Sequence, residues 1–428
     1  MNLFIEPLKN SWINLLKRPS IDVLDLLPKV QAILDAVNAK GDQAVVAFTK
    51  DFDKAIIDHL LVDEATIKAS EQKLSNGLKT AIQLAKTNIE IFHQLQVQKG
   101  EKIETMPGVW CWRKSVAIEK VGLYIPGGTA PLFSTVLMLG IPAKLAGCKE
   151  IILCSPPNEQ GEINPAILFA AMTVGITKIY KVGGVQAIAA MAYGTESIPK
   201  VHKIFGPGNQ YVTAAKQLIQ QSGVAIDMPA GPSEVCVWAD ESSDPSFVAA
   251  DLLSQAEHGA DSQVVFIANT ENLIQAVEAE ILKQLEQLPR KNIAIKALEN
   301  SKAIVLSNQD DAIELINEYA PEHLILAIEN AVQVAEKIVN AGSVFIGNFS
   351  PESVGDYASG TNHTLPTNGH AKAYSGVSID SFVKKITFQQ LTSNGIKNIS
   401  STVIEMAEAE GLQAHANAVA IRIKSLTN

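Results

Sequence analysis

Apolar positions along this chain change their spacing twice. Over the first 23 residues they fall as on a short amphipathic helical arm, broken by Glu6, Lys9 and Lys17. Between residues 65 and 95 they recur at helical intervals, with Ile67, Leu74, Leu78, Ile82 and Leu84 among them, which predicts a packed surface helix. From about residue 116 short apolar runs alternate with helical stretches. VAIEKVGLYIP, KEIILCSPP, ITKIYKVGG and KIFGPGN predict strands, and the segment after each predicts a helix. After residue 234 the same texture returns in EVCVWAD, QVVFIAN, AIVLSN, HLILAI and GSVFIGN. Such alternation signals βαβ units and mostly parallel sheets. The pattern predicts two related α/β layers, then a tail over residues 378–428 ending in a helix, GLQAHANAVAIRIKSL.

Composition narrows the class. A chain of 428 residues exceeds what one core usually holds, so two or more domains are expected. A formal charge of −10, with no Lys/Arg-rich block, argues against nucleic acid as the main partner. The opening MNLFIEPLKNSWINLLKRP has no signal-peptide core, and no run approaches 18 apolar residues, so no membrane segment is expected. Cys111, Cys148, Cys154 and Cys236 form no CxxC pair. They predict reduced, buried thiols in a cytoplasmic protein.

Candidate chemistry gathers in a few turns. Ligands in open α/β sheets sit at the carboxyl ends of strands. Three glycine-rich turns fall at such places: YIPGGTAPL (124–132), KVGGVQAIA (181–189) and FGPGNQYVT (205–213). Each alone is equally a plain tight turn, but three in one layer favour a nucleotide at helix N-termini. A GxGxxG is absent, so a standard Rossmann cradle is not implied. In SQAEHGADSQ, Gln255 and His258 are three apart, which on a helix puts both on one face before Gly259 ends it. VGDYASGTNHTLPT offers Asp356 and His363 on a loop, and EGLQAH offers Glu410 and His415. A ligand set of this kind, without thiolate, suits zinc or manganese. Spacing does not establish convergence, and surface Glu–His pairs are the plainer account. In YAPEHLIL, Glu322 and His323 stand at the mouth of an apolar strand, an unusual place for two proton-transfer groups.

Taken together, YIPGG, GPGN, DMPAGPSEV, SQAEHGADSQ, APEHL, GDYASGTNHTLPT and EGLQAH resemble the histidinol dehydrogenase family, in order, over roughly residues 25 to 420. The first twenty residues match loosely. The resemblance implies two related, incomplete Rossmann-like α/β domains with a helical N-terminal arm and an extended helical C-terminal tail. The expected division is an arm over 1–23, a catalytic domain from 24–123 and 234–377, an NAD-binding domain over 124–233, and a tail over 378–428. It implies a homodimer with one zinc ion per subunit that oxidises L-histidinol to L-histidine through histidinaldehyde with two NAD, completing histidine biosynthesis. By resemblance, Gln255, His258, Asp356 and His415 hold zinc. The metal then grips the substrate through its imidazole and amino nitrogens. Ser233, His363 and Glu410 match further substrate contacts, and Tyr124, Gln186 and Asn209 match NAD contacts. Glu322 and His323 match the proton-transfer pair. A neutral imidazole titrating near working pH suits His323 as base, and a carboxylate suits Glu322 as activator of the water added to the aldehyde. The tail, with Glu410 and His415, is expected to complete the partner subunit's site. One departure is Asn368 and His370, where relatives carry small residues; His370 is expected at the surface.

Three rivals are weaker. A relative oxidising another hydroxyl-bearing substrate should lose the groups that recognise histidinol, yet Ser233, His363, Glu410 and His415 are all present. A zinc hydrolase leaves the glycine-rich turns without a role. A non-catalytic binding protein needs no Glu322–His323 pair.

Overall fold

The computed structural model describes residues 1–19, 26–97, 100–127, 131–229 and 231–427. The expected boundary between residues 23 and 24 lies outside the described residues, as do Gly128, Thr129 and Ala130 of the first glycine-rich turn. β1 (Asn2–Ile5) opens the chain, and after a run of helices come β2 (Lys102–Met106) and β3 (Val109–Ala117). A parallel sheet follows, built from β4 (Lys120–Tyr124), β5 (Glu150–Ser155), β6 (Lys178–Lys181), β7 (Lys203–Phe205) and β8 (Ala225–Ile226). A second parallel sheet holds β9 (Glu234–Ala239), β10 (Gln263–Ala268), β11 (Lys302–Val305), β12 (His323–Ala327) and β13 (Ser343–Ile346), with β1 added at its edge. β14 (Val383–Leu391) runs antiparallel to β3 along its whole length.

The two parallel sheets share one topology. Their orders, β6-β5-β4-β7-β8 and β11-β10-β9-β12-β13, each place the first strand of the layer between its second and fourth. This is the Rossmann order without a sixth strand. Both EVCVWA and QVVFIA are buried along their whole length, as expected of parallel strands with helices on both faces. The apolar core accordingly divides into two clusters on opposite faces of each sheet.

Three expectations are corrected. The N-terminal arm is mostly not helical. Asn2–Ile5 pairs in parallel with β11, Glu6 turns the chain at a φ of 45°, and only Trp12–Leu15 makes an α-helical turn. The open edge of β11 offers unpaired backbone groups, and an extended segment satisfies them where an isolated helix would not. The tail is helical over Ser393–Ala409 and Gln413–Ser425 but opens with the nine-residue β14. Much of residues 24–123 packs on the first layer. Helices Leu27–Lys40 and Asp42–Asp53 pack on Gly184–Tyr193, and Asn76–Gln94 packs on Phe133–Ala146. Val30, Leu34 and Val37, and separately Ile82 and Ile89, thereby enter the cores of the first sheet and not those of the second. The predicted 65–95 helix is two, Glu64–Ala69 and Asn76–Gln94, and Ser75 caps the latter by accepting from the Leu78 N–H.

The turns after β4 and β7 lie at the switch point of the first sheet, where strand order reverses. The amino ends of β9 and β12 carry Glu234, Glu322 and His323. Gly208 and Asn209 from the first layer share one cavity with Ser233 and His258 from the second.

Candidate active site

A cavity of about 1010 Å³ opens at the switch point. Tyr124, Gln186 and Asn209 all line it, so the three glycine-rich turns converge. Tyr124 Oη accepts from the Gly184 N–H at 3.1 Å, and Asn209 caps helix Gln210–Ile219 by accepting from the Tyr211 and Val212 N–H groups. Close packing explains two glycines. A Cβ on Gly127 or Gly183 would stand 2.2 or 2.4 Å from the Pro156 ring. Three buried polar atoms on the cavity wall have no hydrogen-bond partner among the described residues: Gln186 Oε1, Ser155 Oγ and Asp53 Oδ2. Unpaired buried acceptors are costly, so this wall fits a ligand rich in hydroxyl and amide donors. Ser155 and Asp53 were not legible as site residues, because neither sits in a glycine-rich turn.

A second cavity of about 570 Å³ adjoins it, with Asn209 in the lining of both. Ser233, His258, Arg18 and His370 are among its lining residues. His370 is therefore half-buried on a cleft wall, which corrects the expectation of a plain surface residue. Its ring stacks edge-on against Tyr374, which holds it there.

Glu322 and His323 lie at the amino end of β12, 6% and 3% exposed. Both are fixed by the backbone of Glu234. Its N–H donates to Glu322 Oε2 at 2.9 Å, and its carbonyl accepts from His323 Nδ1 at 3.1 Å. With Nδ1 so engaged, Nε2 is the working nitrogen. It is buried, and among the described residues its nearest polar neighbour is Asp356 Oδ1 at 3.3 Å. Burial pushes the Glu322 carboxyl up to about 8. Burial alone would lower the His323 imidazole, but Glu322, Asp356 and Glu352 around it hold it well above its ordinary value. In the chain alone those three carboxylates favour the protonated imidazole, and neutralising any of them would release its proton more readily.

Glu352 was missed from the sequence. It opens the short helix Glu352–Tyr357, is 1% exposed, and places Oε2 4.0 Å from His323 Nδ1. Ser254 donates to its Oε1 at 2.7 Å, and in the amide orientation that satisfies both its polar atoms Gln255 donates to the same oxygen at 2.9 Å. Burial raises this carboxyl to about 7. The only signal was a glutamate four residues before Asp356.

Of the four expected metal ligands, His258 and Asp356 stand close enough for their charges to interact. Gln255, fully buried, ends helix Pro245–Ala256, while His258 lies beyond it in an exposed turn. The helix thus stops two residues earlier than the spacing argument assumed. Asp356 sits in the helix Glu352–Tyr357, not a loop, close enough to His258, His323 and His363 for their charges to interact. His363 is held by Thr135 Oγ1 at 3.0 Å from Nε2 and by the Asp356 carbonyl at 2.9 Å from Nδ1. Glu410 and His415 are exposed on the tail, and no hydrogen bond or ion pair among the described residues joins them to this cluster. Among the described residues no three His, Cys, Asp or Glu side chains stand ready to hold a metal together. The imidazole, carboxylate and amide donors suit a divalent ion in kind, but the set is incomplete within one chain.

Comparison with known proteins accounts for this arrangement. The profile of the histidinol dehydrogenase family matches residues 16–423. A histidinol dehydrogenase of Bacteroides thetaiotaomicron is 60% identical over 426 residues, covering all of both chains. A chloroplastic one from Arabidopsis thaliana is 51% identical over 99% of this chain and 91% of its own. The crystal structure of histidinol dehydrogenase from Elizabethkingia anophelis superposes with a TM-score of 0.98, at 57% identity, covering 100% of this chain and 99% of that one. An α/β oxidoreductase of histidine biosynthesis that acts on histidinol, the chain belongs to the histidinol dehydrogenase family.

Proposed function

We propose that the chain carries L-histidinol through L-histidinaldehyde to L-histidine, the last step of histidine biosynthesis, in two NAD-linked oxidations. The observation that carries this is the Glu322–His323 pair: buried, fixed at one side by the Glu234 backbone, with Asp356 Oδ1 the nearest polar neighbour of His323 Nε2 among the described residues. His323 takes the hydroxyl proton at Nε2 during the first oxidation, with the new Nε2–H steadied by Asp356. Glu322 orients and deprotonates the water that adds to the aldehyde, since burial leaves its carboxyl ready to exchange a proton near neutral pH. NAD, bound through Tyr124, Gln186 and Asn209, supplies the hydride acceptor. Zinc, when held by Gln255, His258, Asp356 and the partner's His415, supplies the grip on the substrate's imidazole and amino nitrogens. Ser233, His363 and Glu410 complete the substrate pocket. That Glu410 and His415 stand exposed, away from the other donors, supports a homodimer in which each tail completes the other site. Four free cysteines favour a cytoplasmic setting, and among the described residues no helix is long and apolar enough to cross a membrane.

Supplying histidinaldehyde directly separates the two roles. His323→Ala should slow histidinol oxidation most, and Glu322→Gln should slow aldehyde oxidation most, each by about 100-fold or more. Normal aldehyde oxidation by Glu322→Gln contradicts the water-activating role.

A further inference from the structure

Glu234 holds both members of the catalytic pair through its backbone, and its own position is set by a buried grip on its side chain. Arg18 Nε and Nη2 donate to Glu234 Oε1 and Oε2, each at 2.7 Å. The Asn368 N–H also donates to Oε1. The arginine side chain is 16% exposed and the glutamate 3%. Arg18 reaches further. Its Nη2 donates to the Tyr319 carbonyl at 2.7 Å, and its guanidinium stacks 4.1 Å from the Tyr319 ring centre. Tyr319 and Ala320, the latter left-handed at a φ of 51°, lead directly into Pro321, Glu322 and His323. One arginine from the N-terminal segment thus ties together the start of β9 and the turn entering β12.

We propose that Arg18 and Glu234 form a positioning clamp that sets the geometry of Glu322 and His323, resting on the reading of that pair given above. Simple stabilisation is a poor account of the clamp. A buried ion pair gains little net stability, because desolvation offsets attraction. A two-pronged guanidinium–carboxylate contact instead fixes orientation, which a lysine cannot reproduce. The orientation matters because small displacements of reacting groups cost large factors in rate.

The test uses the zinc-loaded, full-length enzyme as Arg18→Lys and Glu234→Gln, with rates expressed per folded, NAD-binding site. Arg18 does not line the cavity of Tyr124, Gln186 and Asn209, so NAD binding should be unchanged. The turnover number should fall by about tenfold or more with histidinol and with histidinaldehyde alike, while KM for each stays within about twofold. A lowered melting temperature with a normal turnover number per folded site overturns the clamp, since that is what a purely structural pair does. A raised KM with unchanged turnover also overturns it, because Arg18 would then be touching substrate from the second cavity. Should Glu234→Gln not fold, Arg18→Lys, which keeps the buried charges, decides alone. Glu322→Gln run alongside separates the two ideas: if it oxidises the aldehyde normally, the catalytic reading fails and the clamp falls with it. If only the clamp variants are normal, the clamp alone is wrong.

Discussion

Glu352 shows how much of the site depends on buried supporting contacts. Its carboxylate is the acceptor for both Ser254 and Gln255. Glu352→Ala leaves the buried Gln255 amide without that acceptor, at a cost of about 1–3 kcal/mol, while Ser254 Oγ can still donate to the Asp251 carbonyl. It also frees the Gln255 amide to turn. Retention of the metal should weaken about 10–100-fold, measured by competition with a chelator; unchanged retention contradicts the orienting role. Asp53 gives a prediction in pH. Burial raises its carboxyl to about 6 on the wall of the large cavity. An acid held above its unfolded value costs nothing below about pH 4, where both states are protonated, and its full penalty above about pH 6. Asp53→Asn should therefore stabilise the fold by on the order of 2 kcal/mol at pH 8 and by little near pH 3. Thermal unfolding across that range checks it, and no gain at pH 8 contradicts it. The Glu322–His323 pair itself was legible, because Glu-His before an apolar strand has no packing reason. Arg18, Glu234 and Glu352 were not, because their roles come from partners up to 301 residues away in sequence.

The elements read best were those whose signal is local. EVCVWAD, QVVFIAN and HLILAI are strands, and GLQAHANAVAIRIKSL is a helix from Gln413 to Ser425. β1 and β14 were missed because their pairing is remote: β14 needs β3, and β1 needs β11. The small sheet of β2, β3 and β14 carries the tail, with Trp112 stacked on Phe388 at 5.3 Å. From it Ser393–Ala409 and Gln413–Ser425 pack chiefly on each other. Met406, Leu412 and Ile421 are exposed there, 61%, 44% and 59% respectively. Such a face belongs against another surface. Mixed dimers test whether that surface is the second subunit. Glu322→Gln and His415→Ala chains, each nearly inactive, should recover activity on co-refolding. About half the sites of a mixed dimer, or roughly a quarter of all sites after random assortment, then hold neither defect. No recovery, with mixed dimers confirmed by mass, contradicts sharing.

At the scale of the molecule, one topology is used twice for different work. The first layer presents the carboxyl ends of its strands, with the glycine-rich turns and the acceptors unpaired among the described residues. The second presents the amino ends of β9 and β12, where backbone groups fix Glu322 and His323. Sequence alternation revealed both layers but not which edge of the second faces the cleft, since strand patterning carries no sense of orientation between sheets. The switch-point cavity suits a polar ligand, and Glu322 and His323 are fixed at the amino ends of β9 and β12. The central claim is that this one site performs two successive oxidations. The most direct test is to count NADH formed per histidinol consumed by the zinc-loaded dimer, following absorbance at 340 nm against histidine produced. The account predicts two NADH and one histidine for each histidinol. One NADH per histidinol with aldehyde accumulating, or turnover without NADH, would contradict it.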